Sequence, residues 1–305
     1  MFRVQWIVAI TIVACVSTTA NAADELSLTI TPGKSIGHYN GAPYRNYVDI
    51  FNINVIGTIA NKWGFALGYE NTVIHYKFGI PDFQQDAIFL SGHVSNTPQQ
   101  PLGTFTTQLD YHCVRDRNHP SAADNACVIA PQISYTRYDN SFYVDLGYAI
   151  SDFQTNPLVP GSLLIEQWTP TLGIALNQNA THWLRLRGYF IHSSNLERSH
   201  QVNQTNALET KYLYYPLSSY KILPAYIDVS VVSGKRMYAV DRDTVSINNL
   251  ADLETGALSL TALWRVSKYL GLMISASHSR FKIPSPFGDT HYSLNSTWLG
   301  LVTHW

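Results

Sequence analysis

The chain has 305 residues, of which 46% are hydrophobic and only 13% are charged, about half the charged share of an ordinary soluble domain. Its 20 Lys and Arg against 21 Asp and Glu give a formal net charge of -1, so there is no basic excess to bind nucleic-acid phosphates. The 12% of aromatic residues, including 19 Tyr, speak against disorder, and a mean hydropathy of -0.06 is too low for a bundle of membrane helices. Composition therefore leaves an ordered, apolar, Tyr-rich chain without a nucleic-acid partner.

The first 22 residues have the pattern of a secretory signal. A positive charge precedes an apolar run over residues 4–16, and Ala20-Asn21-Ala22 has the small-x-small pattern that signal peptidase recognises. We therefore predict a signal peptide over residues 1–22 and a mature domain over residues 23–305. Two alternatives stay open: a membrane anchor, although a spanning helix needs roughly 20 apolar residues, and a bacterial lipoprotein with a lipid on Cys15.

Two cysteines remain after such a cleavage, and in a secreted chain they most simply pair with each other. Cys113 and Cys127 flank a polar stretch over residues 114–126, so a disulfide between them would close one surface loop. A zinc site with His112 and His119 is the weaker alternative, because the chain has no Cys-x-x-Cys spacing. No other cluster of metal ligands is apparent.

Beyond residue 23 the hydrophobic pattern alternates with a period of two, which is typical of strands with one apolar face and one polar face. The segments run about 10 to 15 residues, the length of a tilted strand that crosses a membrane rather than of an ordinary soluble strand. The clearest segments are residues 47–55, 63–76, 104–113, 142–150, 183–194, 258–264 and 270–279.

Side-chain parity assigns the two faces of these strands. Phe65, Leu67 and Tyr69 would face lipid, which places the small residues between them in the lumen. The residues that we expect in the lumen are Gly64, Ala66 and Gly68 from one segment, and Tyr143, Asp145, Gly147 and Ala149 from another.

The connections alternate between short and long, as in outer-membrane barrels with tight periplasmic turns and longer extracellular loops. Short turns are predicted at residues 60–62, 98–101, 139–141, 178–181, 217–219 and 267–269. Longer loops are predicted at residues 34–45, 79–85, 114–126, 152–161, 197–205, 235–250 and 284–290. Counting the segments gives an all-β fold, a closed antiparallel transmembrane β-barrel of about 14 strands, or 12 if residues 207–215 and 221–233 merge with their neighbours.

The C-terminal segment carries a family resemblance. Residues 298–305 end on an aromatic residue, with Leu299, Leu301, Thr303 and Trp305 on one face. This segment resembles the C-terminal strand signal of Gram-negative outer-membrane β-barrel proteins, in which Phe is the usual last residue. The resemblance implies an outer-membrane location, contact with outer-membrane lipid, and insertion by the barrel assembly machinery with Trp305 as part of the signal. A secreted β-sandwich is the alternative, but its outward faces should be more polar.

A ring of 12 to 14 strands is wider than the 8 that side chains can fill, so the lumen could enclose water. This favours a pore for small solutes. The sequence shows no dense rows of Arg and Asp of the kind that form an ion-selective constriction, although a loop can also plug a barrel.

One constellation indicates chemistry. His192 and Ser194 share the lipid-facing parity near the outer end of a strand, side by side as a base and a nucleophile would be. Such a pair needs a third group to orient the imidazole, and Asn206 and Glu209 on the next strand are the candidates. The same residues are also ordinary at a polar barrel rim.

The string His192-Ser193-Ser194-Asn195 resembles the His-x-Ser-Asn motif of outer-membrane phospholipase A and of the lipid A deacylase. The resemblance implies His192 as base, Ser194 as nucleophile, and Asn206 or Glu209 as the third member. Leu196 and Glu197 depart from the Gly and Arg that follow in the phospholipase. A calcium ion is implied only by this hydrolase interpretation, and otherwise we expect no cofactor.

Three functions follow from these patterns. A pore or channel for small solutes is the first hypothesis, a surface lipid acyl hydrolase is the second, and a barrel that works through its loops as adhesin, receptor or translocation domain is the third.

Overall fold

The computed structural model describes residues 26–59, 62–96, 102–117, 125–154, 161–216, 223–241, 243, 246–247, 252–285 and 288–305. The predicted signal peptide, Cys15 and His119 lie outside the described residues, and so do most of the predicted turns at residues 98–101 and 217–219. No helix in the described part of the chain is long and apolar enough to cross a membrane.

Fourteen long antiparallel strands close into one barrel, and two short strands pair separately as a small hairpin. The barrel strands are β1 (Leu26–Asn40), β2 (Arg45–Ile59), β3 (Trp63–Tyr76), β4 (Phe83–Asn96), β5 (Thr104–Asp116), β6 (Ala126–Thr136), β7 (Phe142–Phe153), β8 (Leu163–Ala175), β9 (His182–Ser193), β10 (Gln204–Tyr214), β11 (Tyr226–Arg236), β14 (Leu253–Arg265), β15 (Leu270–Ile283) and β16 (Thr290–His304). The hairpin strands are β12 (Val240–Asp241) and β13 (Ser246–Ile247). The predicted fold class and the count of 14 are thus confirmed.

The first and last strands close the ring. β1 pairs with β16 in a register that sets Gly37 opposite Ser296. The terminal residue extends this pairing, because the Trp305 amide donates to the Leu28 carbonyl at 2.9 Å and the Leu28 amide donates to the Trp305 carbonyl at 3.1 Å. The ring has no open strand edge, which is the condition for a sheet to stand in lipid.

Two parts of the predicted strand pattern can be compared with the structure, a loop near the N-terminus and a doubtful pair of strands. The loop expected over residues 34–45 is wrong, because β1 continues to Asn40 and only residues 41–44 connect it to β2. Small residues such as Gly37 still alternate with outward side chains in that stretch, so the strand pattern persists beneath its polar composition. The doubtful pair at residues 207–215 and 221–233 is real and forms the separate strands β10 and β11.

The outer face of the barrel is apolar on nearly every strand, as the parity predicted. Large exposed side chains that all point outward by strand register include Ile88, Leu109, Ile133, Leu146, Phe190, Leu208, Val231, Leu258 and Leu299. Such a belt suits a hydrocarbon environment and would be costly in water.

The predicted disulfide is present between Cys113 at the end of β5 and Cys127 at the start of β6. The two residues are directly opposite in the register of this strand pair. The bond therefore ties the strand ends at the base of the loop over residues 117–125, as the sequence predicted.

Candidate functional site

The connection between β11 and β14, which we call L6 (residues 237–252), places its described residues 237–241 and 243 inside the barrel. It contains the β12 and β13 hairpin, and its first residues from Met237 to Val240 are buried. Because L6 starts at the end of the barrel that carries the longer loops, its hairpin descends from that end into the lumen. We call that end the loop end and the opposite one the turn end.

L6 rests on the inward faces of β6 to β9. The side-chain amide of Gln167 donates to the Val240 carbonyl at 2.8 Å, and its oxygen accepts the Val240 amide at 3.0 Å. The Val240 side chain belongs to a buried cluster with Ala130 and Ala149. Closer to the loop end, the Tyr238 ring packs against Phe153 at 4.9 Å between centroids. Both backbone groups of the inserted segment at Val240 are therefore satisfied away from water.

The far end of L6 is held at the mouth. Asp252, the last residue of L6, forms an ion pair with Arg45 at the start of β2. The Tyr292 hydroxyl donates to the same carboxylate at 2.6 Å and accepts from Arg45 at 2.7 Å. L6 is thus anchored on opposite sides of the barrel, at β8 and at β2 with β16.

Between these anchors, Asp243 places its carboxylate among three cations of the barrel wall. Its Oδ1 accepts from Arg187 Nη2 at 3.0 Å, and its Oδ2 accepts from Lys211 Nζ at 2.6 Å. Arg185 Nη2 also contacts Oδ2. The Asp243 side chain is 24% exposed, against 7% for Arg187 and 10% for Lys211.

A wall carboxylate completes this group, and we call the five residues together the Asp243 cluster: Asp243, Arg185, Arg187, Lys211 and Glu209. Glu209 lies 3.7 Å from Arg187 and 3.6 Å from Lys211. It also accepts hydrogen bonds from Tyr189 at 2.9 Å and from Ser230 at 2.7 Å. Glu209 is therefore fixed by the wall itself, whereas Asp243 reaches the cations from a loop.

Two acids of L6 respond in opposite ways to this environment. Burial raises the pKa of Asp243, but Arg187, Arg185 and Lys211 lower it by more, so it lies well below its usual range. Burial, with Asp243 and Glu209, raises the pKa of Asp241. The Asp243 carboxylate, which faces the cations, therefore stays ionised. Ionisation of Asp241 is disfavoured, because it is buried next to two other carboxylates.

The register explains the cation group. Arg185 pairs with Lys211 and Arg187 pairs with Glu209 across β9 and β10, and all four side chains point inward. The sequence shows no dense rows of Arg and Asp, yet a charged cluster forms in the lumen, because it is completed by a loop acid 56 residues from Arg187 in sequence. The inward parity of the two arginines was the available signal. The loop that brings Asp243 to them left no trace in the strand pattern.

The opposite wall is lined by small hydroxyl side chains that L6 leaves uncovered. Two pairs are hydrogen-bonded, Thr261 to Ser275 at 3.1 Å and Ser277 to Ser296 at 2.7 Å. An inward side chain can be half exposed only where the lumen beside it is unfilled. The residues of this hydroxyl wall are all half-buried: Ser259, Thr261, Ser275, Ser277, Ser279 and Ser296.

Below the Asp243 cluster, at the turn end, the lumen opens into a cavity of about 410 Å³ that we call the vestibule. It is lined by Asn140, Asn179, Ala180, Trp183, Leu213 and Tyr215. Trp183 and Leu213 face each other across β9 and β10, two residues from Arg185 and Lys211 on the same inward face. The cations therefore lie about 7 Å above the vestibule wall.

The two lumen-facing sets predicted from parity are confirmed in orientation. Gly64, Ala66 and Gly68 alternate with outward Phe65 and Leu67 in β3. In β7, the inward positions are Tyr143, Asp145, Gly147 and Ala149, of which the last three are buried.

The outer-wall residues proposed for hydrolysis lie where parity placed them. His192 and Ser194 are both exposed, while Ser193 between them is buried. The Ser194 hydroxyl oxygen accepts the Leu164 amide at 2.9 Å, and His192 stands opposite Glu166 on one side and Gln204 on the other. The catalytic roles of these residues stay a prediction from sequence.

The two candidates for the third catalytic member separate. Asn206 is exposed on the outer face, opposite Phe190 and two residues from the strand partner of His192. Glu209 points into the lumen, so its proposed position beside His192 is wrong. The two positions differ by three, an odd number, so their side chains point to opposite faces of the strand.

The zinc alternative finds no support in the part of the chain that the structure describes, where no group of three potential ligands occurs. His112 points inward and packs edge-on against Phe89 at 4.4 Å between centroids. It therefore faces away from the outward Cys113 next to it.

No protein-family model and no curated protein matches this sequence. Among solved structures, the chain is similar to the TodX monoaromatic hydrocarbon channel, with a TM-score of 0.52 at 9% identity over 93% of this chain and 91% of that one. OmpF of Salmonella typhi has a TM-score of 0.43 at 9% identity over 94% and 99%, and the NanC porin has 0.41 at 7% over 90% and 98%. At these identities the likeness shows the fold alone. The protein is a closed β-barrel of the outer-membrane type.

Proposed function

We propose that this protein is a pore for small polar solutes in the bacterial outer membrane, with a lumen narrowed by L6. The observation that carries this proposal is the half exposure of the inward hydroxyl wall. A barrel built as a solid anchor would fill its interior with side chains, as smaller barrels do. Here the described interior is filled on the side on which L6 rests and by a second buried cluster around Tyr39, Val48 and Phe83 at the loop end, but not along the hydroxyl wall.

The chemistry of the uncovered wall supports a polar cargo. Hydroxyl groups such as those of Ser275, Ser277 and Ser296 donate and accept hydrogen bonds and carry no charge. They can replace part of the hydration of a passing solute without binding it tightly, which is what conduction requires.

A pair of cysteine variants tests the proposal. Ser277→Cys places a thiol on the hydroxyl wall, and Ala276→Cys places one on the lipid face one residue away. In planar bilayers we expect discrete conductance steps from both variants. A charged, membrane-impermeant thiol reagent should lower the conductance of Ser277→Cys by roughly a third or more and leave Ala276→Cys unchanged, because only the first thiol borders the water path.

The native Cys113–Cys127 disulfide does not compete for the reagent. Electrical silence of the folded protein over a wide voltage range would reject the pore. An equal response of the two variants would show that current does not follow the hydroxyl wall.

A further inference from the structure

The cations of the Asp243 cluster belong to the barrel wall, but their carboxylate partner comes from a loop. Arg185, Arg187 and Lys211 lie on the paired strands β9 and β10, whose register fixes them side by side. Asp243 lies between the two short strands of the L6 hairpin. The rigid half of the cluster is thus a preformed receptor for one carboxylate, and the loop supplies that carboxylate.

The three cations of the wall converge on one carboxylate, that of Asp243. Glu209 neutralises one of the three cations, and its two oxygens already accept Tyr189 and Ser230. The next acid on the same inward face, Asp228 on β11 opposite Leu213, accepts the Tyr226 hydroxyl at 2.6 Å. Asp145 on β7 lines the same small cavity as Arg187. Without Asp243, Arg185 and Lys211 would still lose the carboxylate oxygen that both contact, and Arg187 would lose its acceptor at 3.0 Å. Close like charges at low solvent exposure repel strongly, so another anion should replace Asp243 whenever the loop withdraws.

The space next to the cations selects the rest of such a ligand. The vestibule lies directly below Arg185 and Lys211 and has an apolar side formed by Trp183, Leu213 and Tyr215. The amides of Asn140 and Asn179 line it as well. A small organic acid would place its carboxylate at the cations and its apolar or aromatic body in this cavity.

We propose that Arg185, Arg187 and Lys211, together with the vestibule beneath them, form a binding site for small organic carboxylates, which Asp243 occupies as a tethered mimic of the ligand. This inference rests on the pore function, because it names a solute class for the same lumen. Because Asp243 is tethered, its carboxylate has a high effective concentration at the site. A free carboxylate therefore binds only by displacing the loop.

The probe is benzoate, with benzyl alcohol as an uncharged molecule of similar shape. Both are titrated by calorimetry into the folded full-length protein in detergent at low ionic strength. Benzoate should bind the wild type weakly, and Asp243→Asn should bind it about tenfold more tightly, because the competing charge is gone. Benzyl alcohol should show no such change, since it cannot pair with the cations.

Two further variants control this measurement. Asp289→Asn removes the same charge from another loop, where the carboxylate pairs with Lys282 at 2.5 Å outside the lumen. It should leave the benzoate affinity at the wild-type value. Adding Lys211→Met to Asp243→Asn should reverse the gain, and Asp243→Ala gives an independent loop variant if the amide variant folds poorly.

Equal benzoate affinity in the wild type and in both Asp243 variants would overturn the inference, as would a matching gain for benzyl alcohol. Because calorimetry needs no ion flow, the two proposals fail separately. A protein that binds benzoate in this pattern but is silent in bilayers would keep the site and lose the pore. A conducting protein without the pattern would keep the pore and lose the site.

Discussion

The two sides of the lumen are built from the same alternating strands but differ in what covers them. On the side of β6 to β9, inward residues such as Phe153, Leu163 and Tyr189 are almost fully buried because L6 packs over them. On the side of β14 to β16, the inward hydroxyl residues remain half exposed. The strands alternate in the same way on both sides. L6 fills the half at β6 to β9, a second buried cluster with Tyr39, Val48 and Phe83 packs at the loop end of β1 to β4, and the half with the hydroxyl wall is the more open one.

Under the proposed pore function, this contrast separates a conducting side from a side that carries the charged cluster. The open half presents neutral hydroxyl groups, and the filled half carries the charged cluster around Asp243. A solute that follows the hydroxyl wall meets uncharged hydroxyl groups, with the Asp228 carboxylate at the edge opposite Thr261, whereas a carboxylate is attracted to the cations of the opposite wall. Variants that change the filled or the open half should therefore change the conductance, most strongly where the most volume is altered.

The largest effect should come from emptying the filled half. Replacing residues 238–251 with a short Gly-Ser linker removes the inserted hairpin and leaves the 14 strands intact. We expect the single-channel conductance to rise about twofold or more, because the open cross-section of the barrel grows.

A linker of the same composition in place of residues 285–288, in the loop between β15 and β16, is the control and should leave conductance near the wild-type value. An unchanged conductance after loss of the L6 segment would show that L6 does not border the ion path.

A smaller effect should follow from loosening L6 at one point. Gln167→Leu removes both hydrogen bonds to the Val240 backbone and leaves two buried polar groups without those partners. Each such group costs roughly 1–3 kcal/mol, so L6 should leave the wall more often and current traces should show at least tenfold more frequent transitions.

Gln108→Leu makes the same chemical change on β5, where the Gln108 amide donates to Asp110 at 2.8 Å and touches no described residue of L6. Its traces should resemble the wild type. Equal gating noise in the two variants would assign the transitions to some other part of the barrel.

The smallest effect concerns the open side. The Trp298 side chain lies over Gly33 and Gly300, and a Cβ at Gly33 would stand 2.2 Å from the indole ring. Gly33→Val must push the indole into the lumen, so conductance should fall by roughly 20–50%.

The matched control is Gly92→Val on the outward face of β4, where an added Cβ meets nothing within 4 Å. Full conductance in Gly33→Val would show that Trp298 has room to move without narrowing the water path.

The fold could be predicted because a membrane barrel is specified by local alternation. Neighbouring side chains in a strand point to opposite faces. Phe65 and Leu67 therefore face lipid, and Gly64 and Ala66 face the lumen. The disulfide between Cys113 and Cys127 was predictable for a similar reason, because two cysteines remained and only one pair was available. The boundary of β1 was missed because polar loop composition and polar lumen composition look alike.

The candidate site was predictable only in part. The alternation placed Arg185 and Arg187 inside and His192 and Ser194 outside, and the structure agrees. Asn206 and Glu209 are three positions apart, and treating them as alternatives for one role overlooked that they face opposite sides. The hydrolase roles of His192 and Ser194 stay a prediction that the geometry leaves to experiment.

By itself, the sequence predicted a closed barrel of about 14 strands, its two faces and the pairing of the cysteines, because each follows from residues that are neighbours in the chain or in a simple alternating pattern. The structure decided the count of 14 against the alternative of 12. Tertiary structure alone decided that L6 folds inward, that Asp243 meets Arg185, Arg187 and Lys211, and that the hydroxyl wall stays open. Those contacts join a loop to strands more than thirty residues away. The path of a loop depends on the shape and charge of the space that the finished barrel encloses, which no local pattern records.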